Sequence, residues 1–186
     1  MKASNPQTLN TILVLVQELV IRLSSQLKKQ ITLFTDVEDF DLPNAVLNAL
    51  KDPLLHAVRN ACDHGIESQG VIVVRAYLER GQAVVEIVDD GQGLNTEAIR
   101  KCAVANRLLT RAQAQTMSDS ELHALVFVPG FSTAGKVTEI SGRGIGMETV
   151  RAGIESIGGV VNLATIRGQQ TSIQFRIPLH ADALAA

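Results

Sequence analysis

The sequence predicts a single α/β domain of the α+β kind, a two-layer sandwich in which helices cover one face of a mixed, mostly antiparallel sheet. Its 186 residues are 46% hydrophobic, which suffices for one hydrophobic core and is small for two. Helical and strand periodicities both occur, and two pairs of strands are separated only by short turns, which is typical of antiparallel hairpins. A doubly wound parallel sheet fits this pattern less well, and no repeat or linker divides residues 1–186.

The first element is an amphipathic helix within residues 1–28. Apolar residues between Leu9 and Leu27 recur at helical spacing and form one continuous stripe. Val14 and Ile21 fall on a different side, where a simple surface helix would be polar. Either this helix is buried on two sides, or it contacts a partner or a neighbouring domain.

The remaining elements follow from local patterns and from the Gly and Pro residues at their boundaries. A short strand at residues 31–35 precedes a helix at 43–64, in which Pro43 and Pro53 mark the starts of helical segments. The later predicted elements are two strands within 71–88 that join at Arg80-Gly81, helices at 96–106, 119–127 and 147–157, and a hairpin within 158–179. Residues 128–146 are rich in Gly, Ser and Thr and predict a loop.

Composition and charge exclude several classes of protein. The net charge of -2 and the pI near 6.1 provide no broad basic field, which argues against nucleic-acid binding. The apolar run of the first helix is interrupted by Gln17, Glu18 and Arg22, so the sequence predicts no membrane span. Cys62 and Cys102 match no metal or redox spacing, and with no signal peptide visible they indicate reduced cysteines in a cytoplasmic protein.

One helix carries an unusual density of polar residues, in the stretch HAVRNACDHGIE at residues 56–67. His56, Asn60, Asp63 and His64 stand at i, i+4, i+7 and i+8 and therefore share one face of the helix. Buried polar groups need partners or a ligand, and a magnesium ion takes oxygen ligands alongside waters and phosphate oxygens. Asn60 is therefore a candidate metal ligand. The alternative is that Asn60 and Asp63 only hydrogen-bond neighbouring loops.

Two glycine-containing turns follow later in the chain. In VEIVDDGQGLN, Asp89 ends a strand and Gly91 and Gly93 follow it, so a flat ligand can approach the backbone. The carboxylate of Asp89 can accept a hydrogen bond from an exocyclic amine, although acidic turns of this kind occur in many loops. In SGRGIGM, residues 141–147, glycines open a helix whose exposed N–H groups favour phosphate. That cluster is weak by itself, because it does not follow the first strand of a βαβ unit.

The order of these motifs carries a family resemblance. The segments DPLLHAVRNACDHGIE, PGFSTA and SGRGIGMETVR resemble the ATP-binding catalytic domain of CheA-type chemotaxis histidine kinases. The superfamily of that domain also includes gyrase, the heat-shock chaperone ATPases and the mismatch-repair ATPases. The resemblance runs from Leu9 to Leu179 and implies the Bergerat ATP-binding fold, ATP and Mg²⁺ as cofactors, and an ATP lid at residues 95–141.

The same resemblance implies roles for individual residues. Asn60 matches the magnesium ligand and is expected to be catalytic together with His56, which either acts as a base or positions phosphate. Asp89 matches the residue that accepts from the adenine amino group. The other residues that the resemblance assigns to nucleotide binding are Arg59, Asp63, His64, Gly91, Gly93, Ser132, Thr133, Gly142, Arg143, Gly144, Gly146 and Thr171.

Some positions depart from the family pattern. Between Glu67 and Val71 the chain has only SQG, where relatives carry a longer basic loop, and Gln170 replaces a glycine on the adenine side. Glu148 stands where Asp is common, and Ala98 stands where some relatives have a phosphate-contacting lysine. The candidate substitutes for that lysine are Arg100, Lys101, Lys136 and Arg143, for each of which a solvated charge is the alternative.

The resemblance implies a histidine kinase catalytic domain that transfers the γ-phosphoryl group of ATP to a histidine on a phosphotransfer domain supplied in trans. Other chemotaxis-type signalling domains are also candidate partners. His123 and His180 fit no phosphotransfer pattern, so the acceptor is expected on another domain. The shortened loop and Gln170 leave a second hypothesis, a nucleotide-gated binding module without efficient phosphotransfer. A serine kinase like the small anti-sigma regulators is disfavoured by the CheA-like segments.

Overall fold

The structure is a computed structural model that describes residues 8–132 and 146–179. Its first helix, α1, spans Leu9–Leu27. The helix begins at Thr8, whose hydroxyl accepts from the N–H of Thr11 at 3.3 Å while the Thr11 hydroxyl accepts from the N–H of Thr8 at 3.4 Å. It ends at Lys28 in the left-handed conformation with φ 56°. The buried face of α1 consists of Leu9, Ile12, Val16, Leu19, Val20 and Leu23.

The opposite face of α1 is not covered by the described residues. Val14 is 54% exposed and Ile21 is 62% exposed. The hypothesis that α1 is buried on two sides is therefore wrong, and contact with a partner or another domain stays a prediction. Within residues 8–132 and 146–179, no helix combines the length and the apolar character needed to cross a bilayer.

Among the described residues, the sheet has five strands in the order β1-β2-β3-β5-β4. The strands are β1 at Gln30–Val37, β2 at Gln69–Glu79, β3 at Gln82–Asp89, β4 at Val160–Ile166 and β5 at Gln170–Pro178. Only β1 and β2 are parallel, which confirms the prediction of a mixed, mostly antiparallel sheet. The β2–β3 hairpin turns at Arg80 and Gly81. Both residues have positive φ (51° and 77°), as a two-residue type I′ turn requires.

The remaining helices lie between the strands in sequence. They are α2 at Asn44–Asn60, continued by a π-helical turn at Ala61–Gly65, α3 at Thr96–Ala105, α4 at Arg111–Thr116, α5 at Asp119–Ala124 with a 3₁₀ turn at Leu125–Phe127, and α6 at Met147–Glu155. The sequence pattern missed α4, which is too short to show apolar periodicity. Its start carries a local signal nonetheless, because Thr110 and Gln113 form a capping box.

Helices α1, α2 and α6 cover one face of the sheet and enclose the main hydrophobic core. Fully buried residues such as Leu50 and Phe175 lie in this core. Helix α6 packs closely on α2, because a β-carbon at Gly153 would lie 2.8 Å from Cγ of Pro53. The other face of the sheet carries polar side chains, among them a salt bridge between Arg75 and Glu86 at 3.2 Å.

A second, smaller cluster joins α3 and α5. Its buried members are Ile99, Ala103, Leu122 and Phe131. Phe127 connects this region to the main core, since it is buried there and the Arg151 guanidinium of α6 lies 4.1 Å from its ring centroid. The helices of the predicted lid, residues 95–141, thus have a core of their own, and residues 133–141 lie outside the described part of the chain.

The two clusters predict two levels of stability. Leu122→Ala should speed hydrogen exchange in α3, α4 and α5 and leave β2 and β3 largely protected, because a buried leucine contributes about 2–5 kcal/mol to the cluster in which it packs. The matched control is Leu50→Ala in the main core, which should reduce protection in every element. Hydrogen exchange followed by mass spectrometry measures both, and equal loss of protection in β2 and β3 with the two variants would contradict separate stability.

Candidate functional site

The site begins where α2 ends. The helix is regular as far as Asn60 and then widens into the π-helical turn Ala61–Gly65, in which the N–H of Ile66 donates to the carbonyl of Ala61 at 2.9 Å. Wide turns of this type are frequent at functional sites because they re-aim the side chains of the last helical residues. The turn carries Asp63 and His64, three and four residues after Asn60, so these three predicted site residues lie together at one helix end.

Lys29 holds this helix end in place. Its Nζ donates to the carbonyl oxygens of Cys62 at 2.7 Å, Asp63 at 2.9 Å and Ile66 at 2.7 Å. The last carbonyls of a helix lack partners within the helix, and an ammonium group has three donors, so one side chain satisfies three carbonyls at once. Sequence reasoning missed Lys29 because it lies between α1 and β1, more than thirty residues before the carbonyls that it binds.

The second part of the site is Asp89 at the end of β3. Its side chain is buried, at 5% exposure, and one carboxylate oxygen accepts from the N–H of Gly91 at 3.1 Å. Burial raises the pKa of Asp89 from 3.8 to about 6, the Gly91 hydrogen bond opposes the rise, and the charge of Asp90 adds to it. Thr171 lies directly opposite Asp89 in the neighbouring strand β5. A carboxylate and a hydroxyl group thus stand side by side at the strand ends.

Two glycines allow the end of α2 to touch the end of β3. A β-carbon on Gly65 would lie 2.7 Å from the Asp89 carboxylate, and one on Gly91 would lie 2.1 Å from the carbonyl oxygen of Gly65. Any larger residue would separate the helix end from the strand end. Gly93 has φ +64°, and a β-carbon there would lie 2.6 Å from the carbonyl of Ile166, so only glycine fits without strain.

The turn after β3 is also hydrogen-bonded on both sides. The backbone N–H of Gln92 donates to the Gly65 carbonyl at 2.9 Å, and its side-chain Nε2 donates to the His64 carbonyl at 2.9 Å. On the other side, the N–H of Gly168 in the β4–β5 turn donates to the Gln92 carbonyl at 2.8 Å. Gln92, which the motif analysis did not single out, therefore joins the helix end, the strand end and the last hairpin.

Asn60 and His56 face α6. The amide Nδ2 of Asn60 donates to Sδ of Met147 at 2.9 Å, and its Oδ1 accepts from no residue in the described ranges. Nε2 of His56 is buried and lacks a hydrogen-bond partner among the same residues. Burial and the charge of Arg59 lower the pKa of His56, and the opposing charges of Glu148 and Asp63 offset this only in part. The lowered pKa favours the neutral imidazole at neutral pH, and its buried Nε2 is left without a partner among the described residues.

The described residues fit a magnesium ion held together with a ligand, and not a metal cage made by the protein. No group of three His, Cys, Asp or Glu side chains able to hold a metal occurs in the part of the chain that the structure describes. Magnesium usually keeps several waters and takes one or two protein oxygens beside substrate phosphates. The free Oδ1 of Asn60 matches that donor chemistry.

The structure brings most of the predicted site residues into one region. His56, Arg59, Asn60, Asp63 and His64 lie at the end of α2, and Asp89, Gly91, Gly93 and Thr171 lie at the ends of β3 and β5. Gly146 is the N-cap residue of α6, and the carbonyl of Ser132 accepts from Sγ of Cys102 at 3.0 Å. The predicted residues Thr133, Gly142, Arg143 and Gly144 lie outside the described residues.

Comparison with solved structures identifies the fold. The catalytic domain of the histidine kinase ThkA matches with a TM-score of 0.64 at 18% identity, over 95% of this chain and 96% of that chain. The histidine kinase domain from Erythrobacter litoralis EL346 blue-light activated histidine kinase matches with a TM-score of 0.59 at 16% identity, over 100% of this chain and 69% of that chain. The fold is that of a histidine kinase catalytic domain.

Sequence comparison identifies the family. The profile described as Histidine kinase-, DNA gyrase B-, and HSP90-like ATPase matches residues 44–181, and the chain belongs to this family. It is 34% identical over 172 residues to the chemotaxis protein CheA of Bacillus subtilis (87% of this chain, 26% of the relative) and 39% identical over 172 residues to CheA of Klebsiella aerogenes (87% and 26%). It is 36% identical over 168 residues to the sensor histidine kinase CheAY of Helicobacter pylori (84% and 21%).

The resemblance to CheA-type histidine kinases, predicted from three short segments, is confirmed by these relatives. The chain spans 26% of the length of the two CheA relatives and 21% of CheAY.

Removal of the Lys29 ammonium should destabilise the end of α2. Lys29→Met leaves three carbonyls without their charged donor, and we expect a loss of about 2–4 kcal/mol in the free energy of unfolding, measured by urea denaturation. The matched control is Lys28→Met, because Lys28 is exposed and precedes Lys29 directly. A similar loss in both variants would show that the three hydrogen bonds contribute little.

Burial of Asp89 should cost stability at neutral pH. Because its folded pKa of about 6 lies above the ordinary value of 3.8, the folded state binds the proton more tightly, and stability falls as the pH rises from 3.8 to about 6. Asp89→Asn should therefore raise the free energy of unfolding at pH 7 by about 3 kcal/mol, and most of this gain should disappear near pH 4. Urea denaturation at both pH values measures the effect. The exposed neighbour provides the control Asp90→Asn, and an equal gain in that variant would contradict the role of burial.

Proposed function

We propose that this chain binds Mg-ATP in the cytoplasm and transfers its γ-phosphoryl group to a histidine on a separate phosphotransfer domain. The observation that carries the proposal is the contact between the end of α2, which presents Asn60, and the end of β3, which presents the buried Asp89. A cation ligand and a purine-recognising acid on touching elements are what ATP requires. Family membership and the CheA relatives support the same conclusion.

Asp89 gives the proposed site its preference for adenine. An ionised carboxylate only accepts hydrogen bonds, so it pairs with an exocyclic amino group and repels a carbonyl oxygen at the same position. Because Asp89 is 5% exposed, water competes weakly for that hydrogen bond. Thr171, opposite Asp89 in the sheet, is the proposed second polar contact on the adenine side. Gly91 and Gly93 let the base approach the backbone closely.

The phosphate side of the proposed site lies between α2 and α6. Asn60 would hold the magnesium ion through Oδ1, and the ion would neutralise phosphate charge. His56 is neutral and its buried Nε2 lacks a partner among the described residues, so it can accept a proton or bind a phosphate oxygen. Arg59 supplies positive charge beside it. The chain's own contribution is thus positioning and charge neutralisation, which dominate phosphoryl transfer.

The described histidines do not provide an obvious acceptor. His56 and His64 belong to the proposed nucleotide site at the end of α2, and His123 shares a hydrogen bond of 2.8 Å with the Thr96 hydroxyl in the lid helices. An acceptor imidazole must approach the γ-phosphate, form the new P–N bond as the bond to the ADP oxygen breaks, and lose its N–H proton. We therefore propose that the acceptor enters from a separate domain, with α3, α4 and α5 covering the nucleotide. Other chemotaxis-type signalling domains are proposed as further partners.

One observation favours a second candidate, a nucleotide-gated binding module without efficient transfer. A carboxylate oxygen of Glu148 accepts from the N–H of Gly146 at 3.2 Å, at the start of α6. Such N–H groups at a helix start are the usual donors to phosphate. A side-chain anion on this donor competes with the nucleotide and favours weaker phosphate binding.

Phosphotransfer tests the proposal directly. The chain is mixed with candidate phosphotransfer domains, Mg²⁺ and γ-labelled ATP, and the product is tested for stability to acid. We expect acid-labile phosphohistidine, and Asn60→Ala should lower its formation at least about 100-fold, since the metal ligand is lost. The control is Asn162→Ala, an exposed asparagine on β4.

The other outcomes separate the alternatives. Acid-stable product would indicate a serine kinase, and ATP binding without product would indicate the binding module. A calorimetric titration in which the chain ignores adenine nucleotides in the presence of Mg²⁺ would reject both.

A further inference from the structure

The hydrogen bond between Asn60 and Met147 has a specific chemical consequence. A thioether sulfur carries no hydrogen and can only accept, so the NH₂ group of the Asn60 amide must face Met147. With the amide turned the other way, Oδ1 and Sδ would meet as two acceptors without a proton between them. Met147 therefore determines which end of the amide faces the open side of the site, and that end is the oxygen.

The same sulfur does not compete for the cation. Magnesium prefers hard oxygen ligands, whereas thioethers bind soft metals. Met147 thus orients the amide without offering a ligand of its own. Among residues 8–132 and 146–179, no donor occupies Oδ1 of Asn60, so the oriented oxygen keeps its lone pairs for a ligand.

Helix packing places Met147 beside Asn60. Helices α2 and α6 run antiparallel, since Pro53 packs against Gly153 and Asn60 contacts Met147, and a β-carbon on Gly153 would lie only 2.8 Å from the proline ring. Asn60 lies about 10 Å further along α2, and Met147 about 9 Å back along α6, at 1.5 Å per residue. The close contact therefore sets the register that brings the two side chains together. Val150 and Ile154, fully buried on the same face of α6, hold the helix in that register.

We infer that Met147 is a positioning residue that presents the Asn60 oxygen to the magnesium ion, an assignment that rests on the proposed function. Met147 touches neither the nucleotide nor the metal in this role and acts through Asn60. It is also the first residue of α6, directly after Gly146, so the start of that helix and the metal ligand are mechanically connected.

The test compares ADP affinity with and without metal. Isothermal titration of the full chain with ADP, in Mg²⁺ and in EDTA, gives the gain in affinity that the metal provides. Met147→Leu keeps the apolar volume and removes the acceptor, and we expect it to reduce that gain about three- to tenfold, the effect of one hydrogen bond. ADP affinity in EDTA should change less than about twofold, because the amide orientation matters only when the metal is present.

A second variant guards against poor folding of Met147→Leu. The control Met117→Leu alters the methionine in the small α3–α5 cluster and should keep the full increase in ADP affinity that Mg²⁺ provides. In that background, norleucine incorporation replaces the sulfur of Met147 by a methylene of the same shape, and the gain should fall as with leucine. Selenomethionine, which retains an acceptor at the same position, should restore it.

Nuclear magnetic resonance adds a readout that needs no nucleotide. In the metal-free protein, the two Nδ2 protons of Asn60 should show one shifted, bonded resonance in the unaltered chain and in Met117→Leu. Loss of that shift is expected with leucine or norleucine at residue 147. If Met147 had a purely structural role, leucine or norleucine at residue 147 would change the stability of the protein and leave the increase in ADP affinity from Mg²⁺ unchanged.

The outcomes separate this inference from the proposed function. If the unaltered chain gains affinity from Mg²⁺ and the leucine and norleucine proteins gain equally, Met147 has no positioning role and the proposed metal site stands. If the unaltered chain gains nothing from Mg²⁺, the proposed metal site fails, and the role of Met147 fails with it.

Discussion

The site depends on the ammonium group of Lys29 at the end of α2. All three of its N–H donors bind carbonyl oxygens of the widened turn and of Ile66, at 2.7 to 2.9 Å. Because Lys29 directly precedes β1, and β1 pairs with β2, the helix end is fixed relative to the sheet. Asn60 and Asp89 belong to separate elements. The Lys29 hydrogen bonds hold the end of α2, which carries Asn60, in a fixed position relative to the sheet that carries Asp89.

A second constraint is the close contact between that helix end and the end of β3. Gly65 and Gly91 lack the β-carbons that would collide there, and the contact buries Asp89. A buried carboxylate disfavours its charged form, which lowers stability at neutral pH and strengthens the hydrogen bond that it can offer to a ligand. Stability and the proposed adenine recognition therefore oppose each other at Asp89, as is common for binding sites.

The described residues form two hydrophobic clusters of different size. The main core fixes the sheet and α1, α2 and α6, whereas α3, α4 and α5 pack mostly on one another. Phe127 and Arg151 join the small cluster to α6, the helix that starts at Met147. This arrangement suits the proposed cover over a nucleotide, because these helices pack on one another and are attached to the helix beside the proposed phosphate side of the site.

The sequence by itself determined the fold class, nearly all of the helices and strands, and the family. Periodicity of two and of 3.6 residues reports which face of each element is apolar, and the Arg80-Gly81 and Gly168 turns fix the hairpins locally. The polar residues of the site were also visible, because His56, Asn60 and Asp63 repeat at helical spacing and Asp89 precedes two glycines.

Only the tertiary structure decided how these residues meet. Lys29, Gln92 and Met147 act through hydrogen bonds to elements far away in sequence, and no local pattern encodes such pairs. The sequence also did not determine whether Val14 and Ile21 are exposed, because an apolar residue in the sequence does not show whether another element covers its side chain. Spacing along the chain fixes which face a side chain shares with its neighbours, whereas the packing of elements fixes what that face contacts.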